Sequence, residues 1–245
     1  MKISKVRVRY IIQLVLRIFI FIACALLYIF SPDSFDILDG MSFFSKFSVL
    51  HLIWLIWMFD MISQLIPVKD KISLGSQKIF KLHFKPITEK LNVAALRTYI
   101  ETTTRAAYKV FVIWCALLLV LAVLYYLGII GNVALFFIST AFYVCDLICV
   151  LIWCPFRLLM KTRCCTPCRI FNWDHLMMFS PMMFIRGFFP KTLFIFSLVI
   201  WLIWELVVMV YPERFWEYSN EALKCSNCTD KLCTQYCQKL RKKEK

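Results

Sequence analysis

Long apolar runs separated by short charged stretches set the organisation of the chain. Tyr10 to Phe30 is apolar except for Gln13 and Arg17, and it follows a start that carries Lys2, Lys5, Arg7 and Arg9. This pattern predicts a signal-anchor helix. The run is longer than a cleaved leader's apolar core, and Ser31-Pro32-Asp33 offers no small-x-small cleavage site. A second run, Phe47 to Ile66, is rich in Trp and Ile, contains His51 and Asp60, and stops at Pro67. Val110 to Ile130 has no charge and matches the roughly 20 residues needed to cross a hydrocarbon core of about 30 Å. Gly131-Asn132 predicts a tight turn into a fourth run, Val133 to Trp153, which holds Asp146. Thr192 to Tyr211 is a further clear span with Glu205 inside it.

Two stretches resist this simple division. Pro86 stands where a helix can begin, and Ile87, Leu91, Ala94, Ala95 and Thr98 recur at helical spacing, so an interfacial helix is expected to lead into the third span. Trp173 to Pro190 is apolar but broken by Pro181 and Gly187 and charged at Arg186. If it lies on the membrane surface, the chain has five spans and its tail faces outward. If it crosses or forms a re-entrant half-helix, the tail returns to the side of the first basic loop.

The charges favour the second arrangement. Residues 68–109 carry nine Lys and Arg residues and mark a cytoplasmic loop, whereas the stretch from Ser31 to Lys46 holds Asp33, Asp36 and Asp39 against one lysine and reads as extracytoplasmic. In the tail, Arg214, Lys224, Lys231, Lys239, Arg241, Lys242, Lys243 and Lys245 outnumber five acids. The domain division that follows is a four-helix region over 1–153 with the basic loop 68–109, a Cys-rich loop over 154–172, a re-entrant segment and last helix over 173–211, and a Cys-rich tail over 212–245. Composition agrees, since 61% of the 245 residues are hydrophobic and 17% are aromatic, far above a soluble domain of this size. The net charge of +14 sits in the hydrophilic stretches between apolar runs. No basic groove with interleaved stacking aromatics accompanies it, so nucleic-acid binding is not expected.

Of twelve cysteines, Cys24, Cys115, Cys145 and Cys149 fall inside apolar runs, where a thiol behaves as a small hydrophobe, and Cys154 lies at the end of one. The other seven form two clusters: Cys164, Cys165 and Cys168, then Cys225, Cys228, Cys233 and Cys237. Cys165-x-x-Cys168 and Cys225-x-x-Cys228 on one membrane face would supply a four-thiolate zinc site. The second cluster's Cys-x2-Cys-x4-Cys-x3-Cys run has enough thiolates for an iron-sulfur cluster, although its spacing matches neither common ferredoxin pattern. Cys164 and His175 are spare ligands. Disulfides are the alternative if the tail faces an oxidising compartment, and unligated thiols are a third reading.

Arg17, Asp60, Asp146 and Glu205 lie in four different apolar runs, and ionisable groups at membrane depth are costly enough to pair or to line an ion path. Against transport stands a plainer reading, in which Arg17 neutralises one acid and the others reach water near span ends. His51 and His83 have no metal-ligand partner nearby in sequence. Asn227-Cys228-Thr229 fits a glycosylation sequon and Lys242-Lys243-Glu244-Lys245 a dilysine signal, both of use only in a eukaryote. With five glycines and no nucleophile elbow, phosphate loop or zincin motif, hydrolase and nucleotide-binding chemistry are not indicated, and an enzyme would have to use the cysteines for redox work.

The block from Cys165 to Phe179, Cys-Thr-Pro-Cys-Arg-Ile-Phe-Asn-Trp-Asp-His-Leu-Met-Met-Phe, resembles a family of small integral membrane proteins from anaerobic Gram-positive bacteria. So do Tyr211-Pro212-Glu213-Arg214-Phe215 and the run from Lys224 to Cys233. The resemblance covers the last third of the chain. It implies a bacterial plasma membrane, which weakens the sequon and dilysine readings and keeps iron-sulfur chemistry open, and it carries over no catalytic residue.

The sequence therefore predicts an all-α polytopic membrane protein, with its N-terminus in the cytoplasm, five transmembrane helices and one re-entrant or marginal segment. The expected function is a cytoplasmic Cys-ligated metal site, zinc or iron-sulfur, that is structural or passes electrons to a partner membrane or redox protein. The alternatives are a transporter or channel subunit using Asp60, Asp146 and Glu205, and an accessory subunit without chemistry.

Overall fold

The structure is a computed structural model, and it describes residues 5–45, 47–66, 80–87, 92–160 and 168–224. Among these the protein is all-helical, its only extended pairings being two isolated bridges, Gly40 with Gly187 and Pro86 with Asn220. Four helices are long and apolar enough to cross a bilayer: α1 (Lys5–Phe30), α4 (Val93–Tyr126), α5 (Asn132–Leu151) and α8 (Phe188–Val210). Between them lie the short helices α2 (Ser42–Ser45), α3 (Leu50–Ser63), α6 (Phe156–Met160) and α7 (Asp174–Phe179).

The helix ends follow from local chemistry. At α4 the Asn92 side chain accepts a hydrogen bond from the Ala95 amide at 3.0 Å, capping the first turn. Its other end closes at Gly128, whose φ of +73° is left-handed backbone that suits glycine. From there the Gly128 amide donates to the Tyr125 carbonyl and the Ile129 amide to Leu124, the paired bonds of a Schellman stop. With 34 residues α4 is about 51 Å long, more than a hydrocarbon core requires. It is one continuous helix from Asn92 onward, and Pro86 does not start it: Pro86 pairs with Asn220 instead. The second apolar run is helical over only 14 residues, about 21 Å.

The elements run between two ends of the bundle. Tyr10 of α1 packs with Leu147, Val150 and Leu151 near the end of α5, while Tyr28 meets Phe35 in the loop after α1. The acidic loop, the start of α3, the end of α4 and the starts of α5 and α8 share that second end: Trp54 donates to Thr192, and Asn132 to Asp39. The broken stretch, 3-10 turns Arg169–Trp173 and Ser180–Phe184 around α7, connects the two. Arg169 touches Thr104 and Glu205 toward the basic end, and Gly187 bridges Gly40 at the acidic end. After α8, residues 211–224 turn back onto the basic end. There the Glu221 amide donates to the Lys85 carbonyl at 2.8 Å, the Ile87 amide to Ser219 at 3.3 Å, and the Tyr99 hydroxyl to Phe215 at 3.0 Å.

Among the described residues, the four long helices and the broken stretch thus run between the two ends, while α3 leads from the acidic end to the middle of α1, where Asp60 meets Arg17. Trp57 sits at the centre, fully buried against Phe136, Tyr143, Phe179 and Phe189 from three other segments. That aromatic packing holds α3, α5, the broken stretch and α8 together and places their polar residues face to face.

Candidate functional site

Arg17, half-way along α1, is surrounded on all sides. Its Nη1 donates to Asp146 Oδ2 at 2.8 Å and to the Tyr143 carbonyl at 2.7 Å, and its Nη2 lies 3.3 Å from Asp60 Oδ2. The guanidinium also stacks 3.9 Å from the centre of the Tyr143 ring. One arginine therefore joins an acid of α3 to an acid of α5. A planar fork with five donors suits such double engagement.

The broken stretch completes the cluster. His175 on α7 is 2% exposed and presents Nδ1 to Asp174 Oδ1 at 3.1 Å and Nε2 to Asp60 Oδ2 at 3.5 Å. With both ring nitrogens facing carboxylates, the charged imidazolium fits this position, because a bare ring nitrogen would set its lone pair against an anion. Asp174 also receives Gln64 Nε2 on its other oxygen at 2.7 Å and the His175 amide at 2.8 Å. The network is Arg17 and His175 against Asp60, Asp146 and Asp174. Their side chains are 4%, 2%, 21%, 13% and 5% exposed, which leaves little access to water. Among the described residues, two cations thus face three carboxylates.

Glu205, the remaining acid of the apolar runs, is separate and balanced. Both its oxygens receive Arg169, at Nε 3.2 Å from Oε1 and at Nη2 beside Oε2, and Trp173 Nε1 donates to Oε1 at 2.7 Å. Arg169 is held in turn by Thr104, 2.6 Å from its Nη1. This bidentate pair ties the broken stretch to α8 and α4, as Arg–carboxylate forks do.

A cavity of about 240 Å³ adjoins the network on its basic side, between α4, α5, α6 and the broken stretch. Asp146 and Asp174 lie in its wall, together with Trp114, Phe142, Phe171 and four cysteines, Cys145, Cys149, Cys154 and Cys168. Among the described residues the wall is otherwise apolar except for Arg157, which is half-buried.

Of the cysteines put forward as metal ligands, only Cys168 is among the described residues. Cys164, Cys165, Cys225, Cys228, Cys233 and Cys237 lie outside them. Cys168 is buried with Val110, Met160, Trp173 and Met177. Among the described residues no group of three or more His, Cys, Asp and Glu side chains is placed to hold a metal. His175, a spare ligand by sequence, is engaged with Asp60 and Asp174 instead. His51 has a structural role: its Nε2 lies 2.8 Å from the Phe43 carbonyl, and its Nδ1 lies 3.1 Å from the Ser48 amide.

Sequence reasoning found Arg17, Asp60 and Asp146 but not the Asp174–His175 pair that joins them through Asp60. Asp174-His175 in the middle of an apolar stretch was the available signal, a charged dipeptide as conspicuous there as the acids of the long runs. No protein-family model, curated protein or solved structure matches the chain.

Proposed function

We propose that the chain is an integral membrane protein of a bacterial plasma membrane, and that its buried network takes up and releases a proton in the course of solute transport. The helix faces turned away from the bundle are apolar, as at Phe19, Leu119 and Met209, each about two-thirds exposed, which suits lipid contact. Lys85, Arg97, Arg105, Lys109, Arg157, Arg169, Arg214 and Lys224 gather at one end, against Arg186 and Lys191 at the other, where Asp33, Asp36 and Asp39 lie. By the positive-inside rule the basic end is cytoplasmic, and both termini belong there. In this reading the short α3 and the broken stretch complete the passes that the four long helices begin.

The observation that carries the functional reading is the excess of one carboxylate over cations in the network. Burying an unpaired charge costs several kcal/mol, so the network is most stable when it also holds one proton or one monovalent cation. The cavity against Asp146 and Asp174 gives that site a path toward the cytoplasmic end. The test is a proton count on purified protein shifted from about pH 8 to about pH 5, above the range where ordinary carboxylates titrate. Wild type should take up about one proton more than Asp146→Asn, Asp60→Asn or Asp174→Asn, each of which removes the excess charge. Equal uptake by all four would refute the reading.

A second reading keeps a thiolate metal site. Lys224, directly before Cys225, is held at the same end of the bundle as Cys168, because residues 211–224 pair with 80–87 and pack on Tyr99. That placement supports a shared zinc or iron-sulfur site formed by Cys165, Cys168, Cys225 and Cys228. Elemental analysis of anaerobically purified protein, with its ultraviolet-visible spectrum, tests it. Bound metal at unit stoichiometry is expected, and fully alkylatable thiols with no metal would dismiss it.

A further inference from the structure

We propose that the cavity beside the network binds a small hydrophobic organic cation, a single aromatic ring or equivalent alkyl group carrying an ammonium, in exchange for the network's proton. The inference rests on the proton-exchanging reading above and names its substrate class. Three features of the cavity lead to it. Its volume of about 240 Å³ lies between the roughly 150 Å³ that accepts benzene and the roughly 300 Å³ at which pockets for larger molecules begin. Its wall carries the aromatic rings of Trp114, Phe142 and Phe171, with Trp114 and Phe142 only 5.1 Å apart, and such ring faces attract cations when water is excluded. Its anionic side chains are Asp146 and Asp174, two of the three carboxylates that outnumber Arg17 and His175.

A neutral ligand would fill the apolar volume but leave the excess charge, and an anion would double it. An inorganic cation would waste the apolar wall and, among the described residues, meet no group of three His, Cys, Asp or Glu ligands. A hydrophobic cation satisfies both the wall and the charge. Because it supplies the same single positive charge as the shared proton, the two compete for the site, and each cation bound releases one proton to solvent with no bond made or broken to carbon. Arg157, also in the wall, is engaged with a partner of its own.

The probe is benzyltrimethylammonium, and neopentylbenzene is its uncharged isostere. Binding of the labelled cation to the purified full chain is measured by equilibrium dialysis, and proton release is followed with a pH indicator in weakly buffered solution. The cation should bind with about one proton released per molecule, more tightly as pH rises, and the isostere should not displace it. Phe142→Leu should weaken binding about fivefold through loss of a ring face. Displacement by the isostere, or binding without proton release, would overturn the proposal. No binding by a protein that still takes up the extra proton would overturn it and leave the proton-exchanging reading standing. Loss of the extra proton uptake itself would remove both.

Discussion

Replacing Gly187 by alanine should loosen the acidic end of the bundle more than any other single methyl group added to a glycine described here. Gly187 is buried where the broken stretch meets α8, and a Cβ built on it would overlap the Leu38 carbonyl oxygen and lie 2.7 Å from the Leu38 carbonyl carbon and 3.3 Å from Asp39 Cα. These are backbone atoms that cannot swing aside, so the two chains must part by more than about 1 Å to restore van der Waals contact. Parting breaks the bridge in which the Gly40 amide donates to Arg186 at 2.8 Å and the Phe188 amide donates to Gly40 at 2.9 Å. Two backbone bonds at about 1 kcal/mol each, plus about 1–2 kcal/mol for overpacking against the fully buried Leu38, come to about 3–4 kcal/mol. Reduced unfolded-state freedom on going from Gly to Ala returns about 0.4–1 kcal/mol. A net loss near 3 kcal/mol corresponds to a Tm lower by about 6–12 °C for a chain of this size. Thermal unfolding in detergent, followed by circular dichroism, measures it. The control is Gly131→Ala, at a site with open space around a Cβ and a negative φ, which should change Tm by no more than about 2 °C. A Gly187→Ala protein as stable as the Gly131→Ala protein would refute the close approach of these two loops.

Other outcomes test the charged groups and the topology. Arg17→Met leaves Asp60 and Asp146 without their shared partner and should cost about 3–5 kcal/mol in detergent unfolding, while adding Asp146→Asn should recover part of that loss. Complete additivity of the two changes would show that the groups do not interact. Glu205→Gln should destabilise by about 1.5–3 kcal/mol, because a charge-assisted pair with Arg169 is lost while the Trp173 bond survives, without altering proton uptake. At the acidic end, burial and nearby Asp36 hold the Asp39 carboxyl above the ordinary aspartate value against the opposing hydrogen bond from Asn132. A raised acid stabilises the fold when protonated, so this contribution is full below the ordinary aspartate range and disappears as pH rises through the raised value. Asp39→Asn should therefore flatten the pH dependence of Tm above the ordinary aspartate range, and an unchanged slope would contradict that assignment. A C-terminal reporter fusion in a bacterial host should report the tail on the same side as an insertion in the basic loop, and an opposite report would remove the shared cysteine site.

The long helices were legible because 20 or more apolar residues bounded by charge admit few other structures. The periodicity found the helix that leads into the third span but not its start: α4 begins at Val93, and Pro86 is claimed by a partner 134 positions later, a pairing with Asn220 that no local pattern announces. For the broken stretch, Pro181 and Gly187 indicated interruption but not direction. Direction comes from tertiary contacts, with Arg169 fixed by Glu205 and Thr104 at one end and Gly187 locked against Gly40 at the other. The candidate site was half visible. An arginine and two aspartates in apolar runs were evident, yet the plainer reading, one arginine for one acid, underestimated what a guanidinium can span. His175 was misassigned because a histidine near cysteines suggests a ligand by spacing, whereas its position on α7 turns it toward Asp60 and Asp174.

The central claim, that a buried network with one carboxylate in excess carries a proton, is tested most directly by infrared difference spectroscopy of the purified protein near neutral pH. The account predicts a protonated-carboxyl carbonyl band that shifts in heavy water, disappears as pH is raised, and is absent from Asp146→Asn, Asp60→Asn and Asp174→Asn alike. A wild-type spectrum without that band near neutral pH, or a band that survives all three substitutions, would contradict it.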